Sequence, residues 1–433
     1  MATFLYYYLG IAINNSQNLK QKSLFNLLAV VSGVGLLIYF KYFNFFLTSF
    51  ADLFNTMGLK VNPGTFNIIV PIGISFFTFK LISYTLEIYK GKMEPCKDPI
   101  AFATYVSFFP TILSGLIDRP NDFIPQLQKE RGFNHCLAVD ASRQILWGAI
   151  QKMVIAYNLA EIVNKVWIDI SSHSSGVLIM IVILYSLQIY NDFSAYSNMA
   201  IGIEKMFGFK ITKNFNYPFY ARNISEFWKK WHISLTSWLT DYVFMPLNIK
   251  FRNFGTSGII MAIIINMALV GIWHGANWTF IIFGLYNGLL FIPIILSGNF
   301  LKKKKLKPNQ YGLPGLRDFG KMLLNFLLVT IGFIILRAQN IGQAWQYFSG
   351  IFNLSIFSVN FSQFRFLNSN VIAVSFSLLL IGLEWYARED DYAIANFGLQ
   401  WYRPLRIAFY YSLIFLIILC SPDVQNQFIY FKF

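Results

Sequence analysis

Two long apolar stretches, residues 258–273 and 278–296, follow each other almost without interruption. Crossing the hydrocarbon core of a bilayer takes roughly 20 helical residues; the second stretch has about this length, and the first reaches it with its flanking residues. Because lipid offers the backbone no hydrogen-bond partners, such stretches fold as helices. His274 stands at their junction, where an ionisable side chain is costly unless it serves a purpose. The sequence therefore predicts a hairpin of membrane spans with a histidine at its turn.

Composition extends this reasoning along the chain. Hydrophobic residues make up 56% of the 433 and charged residues only 13%, about half the charged share of soluble domains. We expect an all-α polytopic membrane protein with about 9–11 membrane segments, folded as one membrane-embedded domain over residues 1–433. The other predicted segments cover residues 24–50, 66–89, 101–117, 145–166, 177–190, 321–336, 371–386 and 405–420.

One of these segments contains helix-breaking residues. Residues 101–117 include Pro110 and Gly115, which favour a re-entrant or broken helix over a smooth span. Asp118 and Arg119 follow directly, and we expect these opposite charges to neutralise each other.

A second segment is amphipathic and rich in tryptophan. Residues 227–239 place Trp228, Trp231, Leu235 and Trp238 on one helical face. Two lysines lie off that face. The pattern predicts one helix that lies at the membrane interface or is tucked into the protein.

Basic residues predict the orientation of the hairpin. Lys250 and Arg252 precede it and the basic run 302–307 follows it, so both of its ends are expected in the cytoplasm. Its turn, with His274, then approaches the opposite face. Basic loops beside anionic lipid also explain the net charge of +15. We therefore expect membrane lipid, and no nucleic acid, among the partners.

Several polar residues interrupt apolar sequence. Asp192 directly follows the apolar segment 177–190, and a carboxylate at membrane depth is expected to face the protein interior or a wet cavity. Glu384 and Arg337 lie near the ends of predicted spans, so we expect them to be interfacial rather than catalytic. The three cysteines are scattered without metal-ligand spacing, which predicts neither a disulfide framework nor a zinc site.

His274 admits two interpretations on spacing alone. The favoured one is a buried histidine whose imidazole is satisfied by a neighbouring carbonyl group. The alternative is a general base, because a neutral imidazole can take a proton from a hydroxyl group and return it to a leaving group. In that case Gly271 and Gly275 would let a substrate approach the backbone. Asn277 and Trp278 could then donate hydrogen bonds to it.

His232 has a stronger structural alternative, because it stands beside Trp231 at a predicted interface, where histidine is common as a packing residue. It lies far from His274 in the sequence, and neither has a carboxylate at metal-ligand spacing. We therefore expect no metal site.

Several long motifs resemble a known family. They are DFSAYSNMAIG at 192–202, NFNYPF at 214–219, EFWKKWHISL at 226–235, WHGA at 273–276, PIGISF at 71–76 and the terminal FIYFKF at 428–433. Together, over nearly the whole chain, they resemble the membrane-bound O-acyltransferase family. The similarity is greatest to its bacterial branch of alginate O-acetyltransferases and relatives.

The resemblance implies an enzyme whose helices surround a central tunnel. It identifies His274 as the catalytic base lining that tunnel, with His232 as a second catalytic residue that orients a substrate or supports the tunnel. The residues predicted to bind substrate are Asp192, Glu226, Trp231, Trp273, Asn277 and Trp278.

The resemblance also implies the reaction partners. The acyl group, expected to be acetyl, would come from a cytoplasmic thioester, either acetyl-CoA or an acyl carrier protein, with no tightly bound cofactor. The acceptor would be an exported or cell-wall polysaccharide. A secreted or membrane-anchored acetyltransferase of the SGNH type is the expected partner, and the bacterial cytoplasmic (inner) membrane the expected location.

Two departures from the family pattern keep alternatives open. Family members usually begin with further hydrophobic segments before the stretch matching residues 7–15, so this chain is expected to lack the family's N-terminal helices. In SGLIDR at 114–119, Leu116 stands where the family commonly has proline. That motif also resembles the D-alanyl transfer protein of teichoic acid modification. A non-catalytic transporter is the alternative of another class; it predicts inverted repeats and paired charges within the membrane, neither of which is evident in the sequence.

Overall fold

Helices and turns account for all the secondary structure in the computed structural model, which describes residues 1–210, 212–300, 312–353 and 371–421. The all-α class is therefore confirmed over these residues. The basic run 302–307 and the terminal motif 428–433 lie outside them. Contacts group the chain into two compact units, which are described separately. The expected single domain over residues 1–433 stays a prediction.

The first unit comprises residues 1–137 and 204–212. Its helices are α1 (Ala2–Asn15), α2 (Leu19–Leu37), α3 (Phe43–Thr56), α4 (Ile74–Tyr89), α5 (Pro99–Ser107), α6 (Phe109–Ser114) and α7 (Pro120–Leu127). A wide helical turn, Ile38–Tyr42, joins α2 to α3, so the two run on as one helical stretch.

The second unit comprises residues 138–203 and 213–433. The helices from residue 135 onward are α8 (His135–Ala149), α9 (Tyr157–Ile168), α10 (Ser175–Met206), α11 (Ile224–Trp228), α12 (Ile233–Leu239), α13 (Met245–Lys250), α14 (Gly255–His274), α15 (Trp278–Leu296), α16 (Leu316–Arg337), α17 (Ile341–Ile351), α18 (Val371–Tyr386) and α19 (Arg403–Cys420).

Within the described residues, six helical stretches are long and apolar enough to cross a membrane. They are Leu19–Thr56, Ser175–Met206, Arg252–His274, Trp278–Leu296, Leu316–Arg337 and Arg403–Cys420. Two further apolar stretches, Pro99–Ser114 and Val371–Tyr386, are shorter. The sequence-based number of segments was larger because it also counted short or interrupted runs. Segment 66–89, for example, becomes helical only at Ile74.

The broken segment predicted at 101–117 is confirmed. Helix α5 ends at Ser107, α6 runs from Phe109 to Ser114, and Gly115 then adopts a left-handed conformation with φ 80°. Proline within the segment and a glycine that tolerates positive φ together explain why no continuous helix forms.

The expected pairing of Asp118 with Arg119 is wrong. Asp118 instead forms an ion pair with Lys80 of α4, with 3.2 Å between Nζ and Oδ2. Lys80 Nζ also donates hydrogen bonds to Thr111 Oγ1 at 2.5 Å and to the Tyr105 carbonyl oxygen at 3.3 Å. Lys80 is fully buried, so its positive charge requires a carboxylate in direct contact. Asp118 supplies that carboxylate and is therefore paired with Lys80 rather than with its neighbour Arg119.

The single helix predicted over residues 227–239 is also wrong. Helix α11 ends at Trp228 and α12 begins at Ile233, because His232 between them adopts a left-handed conformation with φ 47°. Trp228, Trp231 and the rest of the predicted apolar face are nevertheless buried. The burial pattern was therefore correct, and it is achieved by two short helices with a break at the histidine.

Helices α14 and α15 form the predicted hairpin, and glycines allow their close approach. A Cβ at Gly284 would overlap the Met267 carbonyl oxygen, and one at Gly271 would overlap the Phe280 carbonyl oxygen. The space at Gly271, expected to admit a substrate, is therefore filled by helix packing. At Gly275 the Phe280 ring fills it.

We predict that Gly284→Ala lowers the melting temperature of the detergent-solubilised protein, because the added methyl group forces α14 and α15 apart. Overpacking of this kind costs about 1–3 kcal/mol. Gly320→Ala in α16 is the matched control, since a Cβ there meets no heavy atom within 4 Å. That control should be neutral or slightly stabilising. Equal melting temperatures for the two variants would contradict the close-packing account.

Candidate active site

His274 lies at the last residue of α14 and is 3% exposed. Aromatic rings surround its imidazole, with centroid distances of 5.1 Å to Trp273, 5.6 Å to Phe283 and 6.3 Å to Phe280. The side chain is therefore inside the protein and does not point into lipid. The sequence-based expectation of a buried histidine at the turn of the hairpin is confirmed.

His232 also contacts the indole of Trp273. Its ring centroid lies 5.2 Å from that of Trp273 and 4.6 Å from that of Phe193, and the residue is 1% exposed. Two histidines far apart in the sequence thus both contact Trp273. Burial lowers the pKa of His232 well below its usual range, and the nearby His274 lowers it further. The His232 ring is therefore neutral at physiological pH, the state that can accept a proton.

Asn214 holds the segment that carries His232, and the sequence analysis did not single it out. Its Oδ1 lies 3.2 Å from His232 Nδ1 and accepts hydrogen bonds from the backbone N–H and the Oγ of Ser234, at 3.2 and 3.0 Å. Its backbone carbonyl accepts from the Ile233 N–H at 2.9 Å. The available signal was its place at the start of the motif 214–219.

Asp192 is buried in α10 and forms an ion pair with Lys152. The Lys152 ammonium also lies 4.6 Å from the ring centroids of Tyr157 and Tyr196. The expectation that Asp192 faces the interior is confirmed, and its counter-ion was missed because Lys152 lies in a segment that reads as amphipathic. A role for Asp192 in binding substrate stays a prediction.

Trp231 belongs to an aromatic cluster rather than to an open surface. It is 2% exposed and stacks on Phe227 at 5.3 Å, with Phe215 at 5.1 Å and Phe333 at 5.3 Å. These contacts fix the position of Trp231, the residue that directly precedes His232 in the chain. The contacts indicate a packing role, and a substrate contact by Trp231 stays a prediction.

Glu226 lies at the first turn of α11, where its carboxylate binds the Arg222 side chain at 2.7 Å and accepts from the Arg222 backbone N–H at 3.0 Å. Arg222 also lies 3.6 Å from Asp318 of α16. Glu226 thus stabilises a helix end and a charged cluster. Its proposed contact with substrate stays a prediction.

Asn277 caps helix α15. Its Oδ1 accepts from the Thr279 N–H at 3.0 Å and its Nδ2 donates to the Gln339 carbonyl oxygen at 2.7 Å. Both ends of the amide therefore take part in the fold. Trp278, the next residue, is 52% exposed. For these two residues as well, substrate binding stays a prediction.

Glu384 and Arg337 were expected to be interfacial rather than catalytic, which stays a prediction, and the side chains of both contact other parts of the protein. Glu384 is 3% exposed and accepts a hydrogen bond from Tyr190 Oη at 2.6 Å. The Arg337 guanidinium donates to Asn164 Oδ1 at 2.7 Å and lies 4.7 Å from the ring centroid of Tyr185. These partners were not predicted, because a position near a span end does not reveal which neighbouring residues contact it.

Metal-ligating side chains do not cluster in the described part of the chain: no group of three His, Cys, Asp or Glu residues could hold an ion there. The transporter alternative predicts paired charges, and the structure contains two such pairs, Lys152–Asp192 and Lys80–Asp118. Each pair neutralises itself, which a structural role explains equally well.

We predict that Asp192→Leu strongly destabilises the protein, because it leaves the Lys152 charge buried without its carboxylate. Breaking a buried pair costs about 3–5 kcal/mol. The double variant Lys152→Met/Asp192→Leu should recover most of the loss in melting temperature, since both charges are gone.

The exposed pair Glu161–Lys165, at 2.7 Å, is the control. Glu161→Ala should change the stability by less than about 1 kcal/mol. If the double variant melted no higher than Asp192→Leu alone, the buried pair would not be the source of the loss.

Comparison with known proteins gives a family match. A sequence model of the MBOAT, membrane-bound O-acyltransferase, family matches residues 97–328. The chain is 35% identical to the probable alginate O-acetylase AlgI of Azotobacter vinelandii over 328 residues, which is 75% of this chain and 62% of that protein. It therefore spans less than two thirds of that relative's length.

Two other relatives have different names. The chain is 29% identical to the peptidoglycan O-acetyltransferase of Helicobacter pylori over 475 aligned positions, covering 99% of this chain and 86% of that protein. It is 30% identical to the teichoic acid D-alanyltransferase of Streptococcus thermophilus over 276 residues, covering 60% of this chain and 65% of that protein.

Proposed function

The chain belongs to the membrane-bound O-acyltransferase family, and from this premise we propose that it moves an acyl group, acetyl in the first instance, from a cytoplasmic thioester across the membrane for O-acylation of a polysaccharide. One structural observation carries the proposal furthest. Two buried histidines contact Trp273, which lies at the end of an apolar helix long enough to span a membrane. A catalytic base at membrane depth must be shielded from lipid, and the His274 side chain is buried inside the protein.

The chemistry follows from the imidazole. His274 would accept the proton of the acceptor hydroxyl as its oxygen attacks the carbonyl carbon of the thioester. The carbon–sulfur bond then breaks, and the proton passes to the leaving thiolate, giving an ester and a free thiol. Positioned acid–base catalysis of this kind contributes roughly 10²- to 10⁴-fold to the rate. The neighbouring His232, which is kept neutral, would orient a reactant.

The partners are proposed from the relatives and from the charge pattern. Names of relatives support acetyl transfer to alginate or peptidoglycan. We propose a cytoplasmic thioester such as acetyl-CoA as the donor. Lys250 and Arg252 before α14 support a cytoplasmic start for this helix. We propose that the chain lies in the bacterial cytoplasmic membrane and that a secreted SGNH-type acetyltransferase completes the transfer.

D-alanyl transfer is the second candidate, and a specific observation favours it. The relatives include teichoic acid D-alanyltransferases, and the motif SGLIDR at 114–119 points the same way. In that reaction the acyl donor would be a carrier protein loaded with D-alanine. The ester bond formed is of the same kind, so the acid released from the product separates the two candidates.

We predict that His274→Ala abolishes the transfer of labelled acetyl to envelope polysaccharide in cells that depend on this chain. The variant has no proton acceptor at this position, and its loss should lower the transfer rate by at least roughly 10²-fold. His135→Ala is the control, because that histidine is exposed at the start of α8, and it should transfer acetyl like the unchanged protein. Both variants must be present in membranes at equal amounts.

Mild alkaline hydrolysis of the same material identifies the acyl group. Acetate supports the leading proposal, whereas D-alanine would replace it with the second candidate. Full acetyl transfer by His274→Ala at equal expression would remove the proposed base. If the unchanged chain restored no ester at all, acyl transfer itself would be contradicted.

A further inference from the structure

The side-chain amide of Asn214 can be oriented without reference to any histidine. The backbone N–H of Ser234 can only donate, and it points at Asn214 Oδ1 at 3.2 Å. The other end of the amide, Nδ2, donates to Ser197 Oγ at 3.2 Å. Asn214 is fully buried, so these contacts decide which end of the amide is the oxygen.

This orientation determines the proton position on His232. The same Oδ1 lies 3.2 Å from His232 Nδ1. An amide oxygen accepts and never donates, so the hydrogen of this contact belongs to Nδ1. A neutral imidazole carries one hydrogen only, and its lone pair is therefore on Nε2.

Backbone geometry adds a second constraint at the same place. His232 has φ 47°, a left-handed conformation that residues with side chains adopt only when their surroundings enforce it. Asn214 supplies that enforcement, because its carbonyl oxygen accepts from the Ile233 N–H at 2.9 Å. Its contacts thus reach three successive residues, His232, Ile233 and Ser234.

We infer that Asn214 is a positioning residue that holds His232 as the Nδ1–H tautomer and presents Nε2 as its proton-accepting nitrogen. The catalytic consequence rests on the proposed acyl transfer, whereas the tautomer itself does not. Phe193 of α10 and Trp273 of α14 pack against the His232 ring, and His274 is near enough to act on it electrostatically.

Solid-state NMR of the full-length chain in liposomes tests the tautomer directly. The protein contains only four histidines, so ¹⁵N-histidine labelling gives few signals, and the His232→Asn spectrum identifies the one that belongs to His232. We expect a neutral ring protonated at Nδ1. A His232 signal protonated at Nε2 in the unchanged chain would overturn the inference.

Three variants separate positioning from general damage to the fold. Asn214→Leu removes the accepting oxygen and should convert the His232 signal to the Nε2–H form or to a mixture. Asn214→Asp keeps an acceptor and should retain Nδ1–H. Ser197→Ala removes only the group that accepts from Asn214 Nδ2, so it too should retain Nδ1–H. A change as large in Ser197→Ala as in Asn214→Leu would contradict the assignment.

Acetyl transfer in cells then tests the catalytic consequence. Asn214→Leu should lower the transfer rate roughly 10²-fold, because a His232 ring in the wrong tautomer misplaces the reactant it orients, and misplacement of this kind costs about that much. Asn214→Asp should recover part of the rate. No transfer by the unchanged chain would refute the proposed function and leave the NMR result standing. Undiminished transfer by Asn214→Leu, with its tautomer altered, would refute the catalytic role of Asn214 alone.

Discussion

The contact of two imidazole rings with the indole of Trp273 is the interaction on which the rest of the site depends. His274 reaches it from the end of α14, and His232 reaches it from a break between two short helices. Because both rings are buried, their hydrogen bonds and charges are set by the protein and not by lipid or water. The aromatic cluster around Trp231 and the Asn214 hydrogen bonds serve to keep His232 in this position.

The absence of water at membrane depth also explains how the buried charges of both units are arranged. A lone charge at membrane depth is unstable, and the structure pairs Lys80 with Asp118 in the first unit and Lys152 with Asp192 in the second. Buried polar groups follow the same rule, as Glu384 does in accepting from Tyr190. Pairs of this kind specify which helices meet, because a shifted helix would separate the charges.

Sequence reasoning succeeded where a pattern is local and failed where partners come from distant residues. The hairpin at His274 and the break near Gly115 follow from apolar length and from residues that end helices. Asp118 was paired with its neighbour Arg119, although its counter-ion Lys80 lies on another helix. The tryptophan stripe predicted burial correctly but not the left-handed His232, because that conformation depends on hydrogen bonds that Asn214 accepts, which no periodicity reveals.

The central claim is that His232 and His274 form one catalytic unit, and a double-mutant cycle of acetyl transfer rates tests it most directly. His232→Ala, His274→Ala and the double variant would be compared at equal amounts in the membrane. When two residues act together, the double variant loses far less activity than the product of the two single-variant losses. The account predicts a double variant no slower than the slower single variant. Losses that multiply would show that the two histidines act independently.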